Sequence, residues 1–591
     1  YRITLKECQL AWLVHVMAQV LAQQKFTASQ IEVGEEILDA EYCKRVFTLS
    51  HSIGYRLSNE QSQKVDARLE LALLAFFRVF RDTFASLATV SLSEGIGNIS
   101  MISGIKQNAY NRFFEKLSIG NYTAVMNAIV EKVCGNLRYW GEDVGVVSAS
   151  LQLFLEMSKG YQGCKLLLQL ESVDFMLQNH TEMTFRFLAA PEMLSFRPRY
   201  YAALTKLILM DNVPGRLELF ISPFSMTLQR LRTMNLKSPE GVMTCVKLYK
   251  DLRGVMTSCN DRRSYNLVYE ILGKSVFELM EQTVDTCGND DVLLATMLKC
   301  LLAFVDNQEP RVDSGSTSTN GLTLFKATSS IVCKTIQHIL FAYPNLAQSA
   351  ESVFRCIRLS LQVMNTALTG KYVPFGVFQL YNDNCLLSSL EASMTMVLQV
   401  PRDQVEKRQK LEKAIFTFID ILFTNHMETL TKMAAEGFIS VVQFVIAGID
   451  SYDPETVAKC ADCIDCLATY YYLNRSRDIP TIARLNAIVQ ANNTLWNDLF
   501  EKILNSLLFN SKSGDALSRP IHSIFLVDPN VAEHYYAVVA STQTPEAIVK
   551  LKESMIKLTS NMDQTLEPVI RDQFCQKCRV FREEVLQYLV L

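Results

Sequence analysis

Five cysteines in two groups are the side chains best spaced for chemistry: Cys460, Cys463 and Cys466, three residues apart, and Cys575 with Cys578. Thiolates at i and i+3 of a helix project from one side, so either group could contribute to a zinc site. The surrounding stretch, "AKCADCIDCLATYYYL", has the periodicity of a packed helix in which cysteine serves as a small apolar residue. The packing reading is preferred, and no metal is assigned. "GIGNIS" at 95 to 100 begins like a dinucleotide fingerprint, but Ser100 stands in place of the third glycine and no strand precedes it. "GKS" at 273 to 275 resembles the end of a phosphate loop, yet Val268 occupies the position where that loop needs glycine. Neither G-x-S-x-G nor H-E-x-x-H occurs, and the histidines at 15, 51, 180, 338, 426, 522 and 534 are scattered singly. His180 and His426 each follow an asparagine at the end of an apolar stretch, a position that suits a cap or a buried polar contact better than a base. The expectation is a protein that is not an enzyme, with no catalytic, cofactor-binding or metal-ligating residues.

Charge on the surface remains. Acidic residues gather at Glu32, Glu35, Glu36, Asp39 and Glu41, and again at Asp285, Asp290 and Asp291. At helix ends such residues cap and solvate. On the inner face of a helical array they would attract a basic partner, so Glu35, Glu36, Asp39, Glu41, Asp285, Asp290 and Asp291 are the candidate partner-binding residues.

The elements that must carry these residues are helices. Leu10, Leu13, Val14, Met17 and Leu21 share one stripe at helical spacing; so do Leu69, Leu73, Phe76, Phe77, Phe80 and Phe84, and Val353, Ile357, Leu361, Met364 and Leu368. Strand-like alternation is nearly absent. Breakers separate the stripes: "GNDD" at 288 to 291, "YPN" at 343 to 345, "YDPE" at 452 to 455 and "VDPN" at 527 to 530. Helix pairs recurring at roughly 40 to 47 residues mark HEAT or armadillo-like arrays. The predicted fold is therefore all-α, a HEAT-repeat-like α-α superhelix, or solenoid, running continuously over 1–591. Exposed loops are expected at 93–108 and 306–321, where Gly, Ser, Thr and Asn concentrate.

Composition agrees. Of 591 residues, 49% are hydrophobic and 20% charged, with Lys+Arg 58 against Asp+Glu 61, which suits a folded chain and not a disordered one. A net charge of −3 supplies no general grip on nucleic acid. The uncharged run from Cys8 to Gln24 is broken by Gln9, His15 and Gln19 and reads as a buried helix, so no membrane association is expected. Sixteen dispersed cysteines fit a reducing, cytosolic or nuclear setting, where the five N-x-S/T sequences would stay unmodified. The chain opens on Tyr1 and not Met, as a piece of a longer protein would.

One segment departs from the helical pattern. "GKYVPFGVFQLYNDN", 370 to 384, crowds Gly370, Gly376, Pro374 and four aromatics, Tyr372, Phe375, Phe378 and Tyr381, into fifteen positions. The reading is a sharp corner in which the glycines permit the turn, the proline stops the helix and the rings plug adjoining apolar layers.

"NLRYWG" (136 to 141), "FMLQNHT" (175 to 181), "KDLRGV" (250 to 255), "NGLTLFKATSSIV" (320 to 332), the aromatic segment and "LSRP" (517 to 520) occur in an order and spacing that resemble the exportin-7 / Ran-binding protein 17 family. The resemblance is to its C-terminal half. It implies a nuclear transport receptor of the importin-β superfamily, built of HEAT repeats and without catalysis of its own. Such a receptor binds protein cargo cooperatively with Ran-GTP, passes nucleoporins at the nuclear pore, and shuttles between nucleus and cytoplasm; no nucleic acid or membrane partner is implied. A HEAT scaffold for a cytosolic multiprotein complex, independent of Ran, is the alternative.

Overall fold

The computed structural model describes residues 2–23, 35–58, 65–91, 104–211, 213–312, 319–509, 514–560 and 565–589; the side chains of 2, 35–36, 85–91, 104–110 and 514–515 fall outside that description, as does "GIGNIS". Among the described residues the chain is helices, turns and three short 3-10 segments, with no strand. No described helix is long and apolar enough to cross a membrane. Two compact units are present. The first comprises 1–279, 299–304 and 309–312, the second 280–298, 305–308 and 313–591.

In the first unit Arg2–Gln23 lies along Ala67–Ser91, which also packs on Val144–Met157, and Glu35–Ser58 packs on Gly104–Leu117 and Tyr122–Tyr139. The stripe predicted on Ala67–Ser91 becomes an aromatic stack. Phe80 and Phe84 stand 4.7 Å apart, Phe84 and Phe113 4.7 Å, and Phe47 meets Phe80 edge-on at 5.3 Å. Offset ring pairs of this kind add about 0.5 to 1.5 kcal/mol each to the area they bury. The stripe predicted on Arg2–Gln23 is only half right. Val14 and Leu21 are buried, but Ala11 and Ala18 complete the packed face, while Leu13 (58% exposed), Leu10, Trp12, Val16 and Val20 face outward. This helix is apolar on both sides, so its larger side chains misled the periodicity.

In the second unit the second helices of successive pairs lie side by side: Glu351–Thr369 on Gln409–Asn425, that on Pro454–Asn474, then Gly514–Val527, then Pro568–Val585. Their first helices back them, Asn320–Ala342 behind Glu351–Thr369, Ala435–Gly448 behind Pro454–Asn474, Leu495–Phe509 behind Gly514–Val527 and Pro545–Thr559 behind Pro568–Val585. Each pair buries its apolar face against its neighbours, which is the stacking of a solenoid. The second helices begin at 351, 409, 454, 514 and 568, so the repeat runs from 45 to 60 residues and mostly exceeds the expected length. Short extra helices in the connections, Gly376–Leu380, Arg402–Glu406, Pro480–Ala491 and Val531–Val539, account for the surplus.

Both predicted loops need correction. Gly104–Leu117 starts inside the first, so its last five residues are helical. In the second, Arg311 and Val312 are buried. The Arg311 guanidinium donates to the carbonyls of Met256 at 2.6 Å, Cys259 at 2.9 Å and Ala303. It thereby satisfies carbonyls at the ends of Pro239–Thr257 and Asp291–Val305, which helix geometry leaves unpaired.

The aromatic corner is a turn enclosing the short helix Gly376–Leu380. Phe375 and Phe378 pack on Phe325 at 5.2 and 5.4 Å, and Phe375 meets His426 at 5.5 Å. Tyr372 and Phe378 are buried, Phe375 is half-buried and Tyr381 is exposed. The left-handed positions are Lys371 (φ 56°) and Asn382 (φ 51°), not the glycines. Gly370 is needed for another reason: a Cβ there would fall 2.3 Å from the Tyr372 ring.

Candidate partner-binding surfaces

The stacked second helices of the second unit present a polar ridge. Glu455, Lys459, Asp462 and Cys466 recur at helical spacing along Pro454–Asn474, opposite Lys413, Thr417, Asp420 and Thr424 of Gln409–Asn425. Lys413 meets Glu455 at 2.9 Å; Lys459 reaches Glu455 at 2.8 Å and the Thr417 hydroxyl at 2.8 Å. These two lysines hold the Glu455 carboxyl down at about 2. Farther along, Asp465 accepts from Ser523 and pairs with Arg571. Burial pushes the Asp420 and Asp462 carboxyls up, with Asp462 adding to Asp420 and Asp465 to Asp462, against the opposing pull of Lys459 on the first and of Arg519 and Arg571 on the second. A ladder of alternating charge across adjoining helices is suited to electrostatic recognition of another protein.

The residues predicted to bind partners are placed as follows. Glu35 and Glu36 open Glu35–Ser58, but their side chains lie outside the described residues, as does Glu32. Asp39 is buried. Glu41 pairs with Arg45 at 3.6 Å and Lys116 at 3.7 Å. Asp285 binds Lys334 at 3.0 Å. Asp290 accepts from the amides of Val292 and Leu293 at 3.0 and 2.9 Å, the cap of Asp291–Val305. Asp291 accepts from the Ser352 hydroxyl at 2.7 Å and from Tyr343 at 3.3 Å. The two groups belong to different units, and the placed members join helices or cap them.

Several residues of the motifs that carry the family resemblance are interior. Asp251 of "KDLRGV" holds Arg197 through two contacts of 2.7 and 2.6 Å. Both are buried; burial raises the Asp251 carboxyl while the Arg197 guanidinium pulls it down. Glu182 then links Arg197 at 2.9 Å to Lys247 at 2.9 Å. The Tyr201 hydroxyl donates to the carbonyl of His180, from "FMLQNHT", at 2.8 Å. Gly254 lies so close to the next helix that a Cβ would stand 2.3 Å from the Pro198 carbonyl oxygen. Asn136 of "NLRYWG" donates to Ser150 at 3.2 Å, and Ser518 of "LSRP" is buried.

Cys460 and Cys463 are buried thiols on Pro454–Asn474, pushed well above the usual range by burial. Among the described residues no group of three or more His, Cys, Asp or Glu is disposed to hold a metal. Burial lowers His180 and His522 to about 4 and depresses His426 as well. The polar ridge was missed at the sequence level; its signal was the i, i+3, i+4 recurrence of polar residues on helices otherwise read only for their apolar stripes.

Residues 1–195 match the family model described as "Exportin-7-like, TPR domain". Exportin-7-B of Xenopus laevis is 25% identical over 99% of this chain and 54% of its own length. Ran-binding protein 17 of Mus musculus is 26% identical over 99% of the chain and 54% of its own length, and exportin-7 of Dictyostelium discoideum 26% over 98% and 57%. The chain thus spans about half the length of these relatives, a share that carries no support for the C-terminal placement expected from the motifs. Among solved structures, a mutant of Kap121p superposes with a TM-score of 0.39 at 8% identity, covering 98% of this chain and 52% of that one. An engineered protein superposes with a TM-score of 0.38 at 12% identity, over 86% and 98%.

Proposed function

We propose that this chain is part of a nuclear transport receptor that binds protein cargo together with Ran-GTP and carries it out of the nucleus through contacts with nucleoporins, shuttling between nucleus and cytoplasm. The observation that carries the reading is the similarity to exportin-7 and Ran-binding protein 17 along 98 to 99% of the chain. Stacked helix pairs with a polar ridge support it, because such arrays bind proteins along extended surfaces. No catalytic role is proposed.

The mechanism follows from linkage. If Ran-GTP and cargo favour the same curvature of the helical array, each raises the affinity of the other by an equal coupling free energy, typically about 1 to 3 kcal/mol. Loading and release are then one equilibrium run in two directions. The acidic residues retain a proposed part in docking, Glu41 and Asp285 foremost because their salt bridges are only partly shielded from solvent.

Capture from nuclear extract tests the reading. The immobilised chain should retain a set of proteins with Ran held in its GTP state by a non-hydrolysable analogue, and lose that set when Ran-GDP replaces it. Identical protein sets under both conditions would favour a Ran-independent scaffold and refute the proposal.

A further inference from the structure

In the second unit, Gln409–Asn425, Ala435–Gly448, the short helix Arg402–Glu406 and the turn at 449–454 line an open cavity of about 890 Å3. The rings of Phe416 and Phe444, 5.5 Å apart, form one wall. Glu412 lines the cavity and is only 8% exposed. The Ser451 hydroxyl donates to Glu412 Oε1 at 2.6 Å, and among the described residues no cation forms a salt bridge with this carboxylate. The nearby cations are committed elsewhere: Arg402 to Glu406 at 2.9 Å, Lys413 to Glu455 at 2.9 Å, and Lys502 to Asp450 at 2.5 Å. A buried carboxylate without a counter-charge is costly, and the cost is relieved when a cation enters with good hydrogen-bond geometry.

We propose that this cavity receives the arginine side chain of a protein partner, its guanidinium on Glu412 and its planar face against the aromatic wall. The walls select guanidinium over ammonium, since a planar, weakly hydrated cation stacks on rings where a compact, strongly hydrated one does not. The chain already uses this contact nearby, with Arg408 centred 3.9 Å over the Phe354 ring. Tyr452, 95% exposed and also lining the pocket, offers a further stacking surface. The volume exceeds one side chain and leaves room for the flanking peptide, as protein-lined ligand sites do. The site stands apart from the Ran-dependent reading, because it is defined by charge and shape alone.

The test uses the full chain and three fluorescein-labelled hexapeptides, Gly-Ser-X-Leu-Ser-Gly, with arginine, lysine or citrulline at X, followed by fluorescence anisotropy. Arginine peptide should bind saturably, lysine peptide more weakly, and citrulline peptide at least about tenfold more weakly, since it keeps the shape without the charge. Glu412→Gln retains an oxygen for Ser451 and should weaken arginine binding by about tenfold or more. Tyr452→Ala, at a position too exposed to affect folding, should weaken it several-fold. Absence of saturable binding, equal binding of arginine and citrulline peptides, or full binding by both variants would overturn the proposal.

Discussion

Single residues set the stability of the interior. Arg197 is buried with Asp251 as its two-point partner, so Asp251→Ala removes its buried carboxylate and leaves Glu182, at the edge of the core, as the remaining anion. Urea unfolding of that variant should show a loss of about 3 to 5 kcal/mol, while the double change Arg197→Met with Asp251→Leu should lose markedly less, because no charge is left alone. His522 offers the opposite case. It is wholly buried, stacks on Phe574 at 4.7 Å, and neither ring nitrogen has a hydrogen-bond partner. Its folded value near 4 lies below the unfolded value of about 6.5. The unfolded chain therefore takes up the proton first as pH falls. Stability is full above about 6.5 and declines between there and about 4, by up to roughly 1.4 kcal/mol per pH unit for one group. His522→Leu should raise the melting temperature at neutral pH and shrink the drop between pH 7 and pH 5. An unchanged pH dependence, with His180 as the remaining contributor, would show that His522 is solvated in the fold.

Helices and corners are the next scale, where spacing and close approach decide. Gly254 and Gly135 both sit within helices, yet a Cβ at the first would meet the Pro198 backbone at 2.3 Å, whereas at the second it meets nothing within 4 Å. Thermal denaturation should find Gly254→Ala destabilising by about 1 to 3 kcal/mol. Gly135→Ala should be neutral or stabilising by up to about 1 kcal/mol. At the aromatic corner, Phe375→Ala should lower stability by about 2 kcal/mol, because the ring bridges Phe325 and His426. Helix type and most breakers were legible in the sequence because a 3.6-residue apolar period is written locally: the Phe76 to Phe84 stripe and the "YDPE" turn fell where expected. Two things were not. The Arg2–Gln23 face depends on which of two apolar sides meets a neighbour, and the corner's φ values depend on contacts that bring Tyr372 over Gly370. The local roles of the acidic residues were least legible, since Asp290 as a helix cap and Asp285 as an inter-helix tie look the same in sequence as free surface acids.

At the scale of the molecule, each unit is built of packed helices, and its described interior holds apolar side chains and paired charges such as Arg197 with Asp251. On the proposed reading such a body would act by offering surface and by changing curvature at low cost, so that two ligands could influence one another through it. The charge balance of 58 basic to 61 acidic residues leaves recognition to local patches such as the ridge and the Glu412 cavity. The central claim is that these patches serve a receptor whose hold on its partners is governed by the nucleotide on Ran. The most direct measurement is a titration of the purified chain with Ran bearing a non-hydrolysable GTP analogue and, separately, with Ran-GDP. The account predicts saturable binding of the GTP form that is at least about tenfold tighter than any binding of the GDP form; indistinguishable responses to the two forms would contradict it.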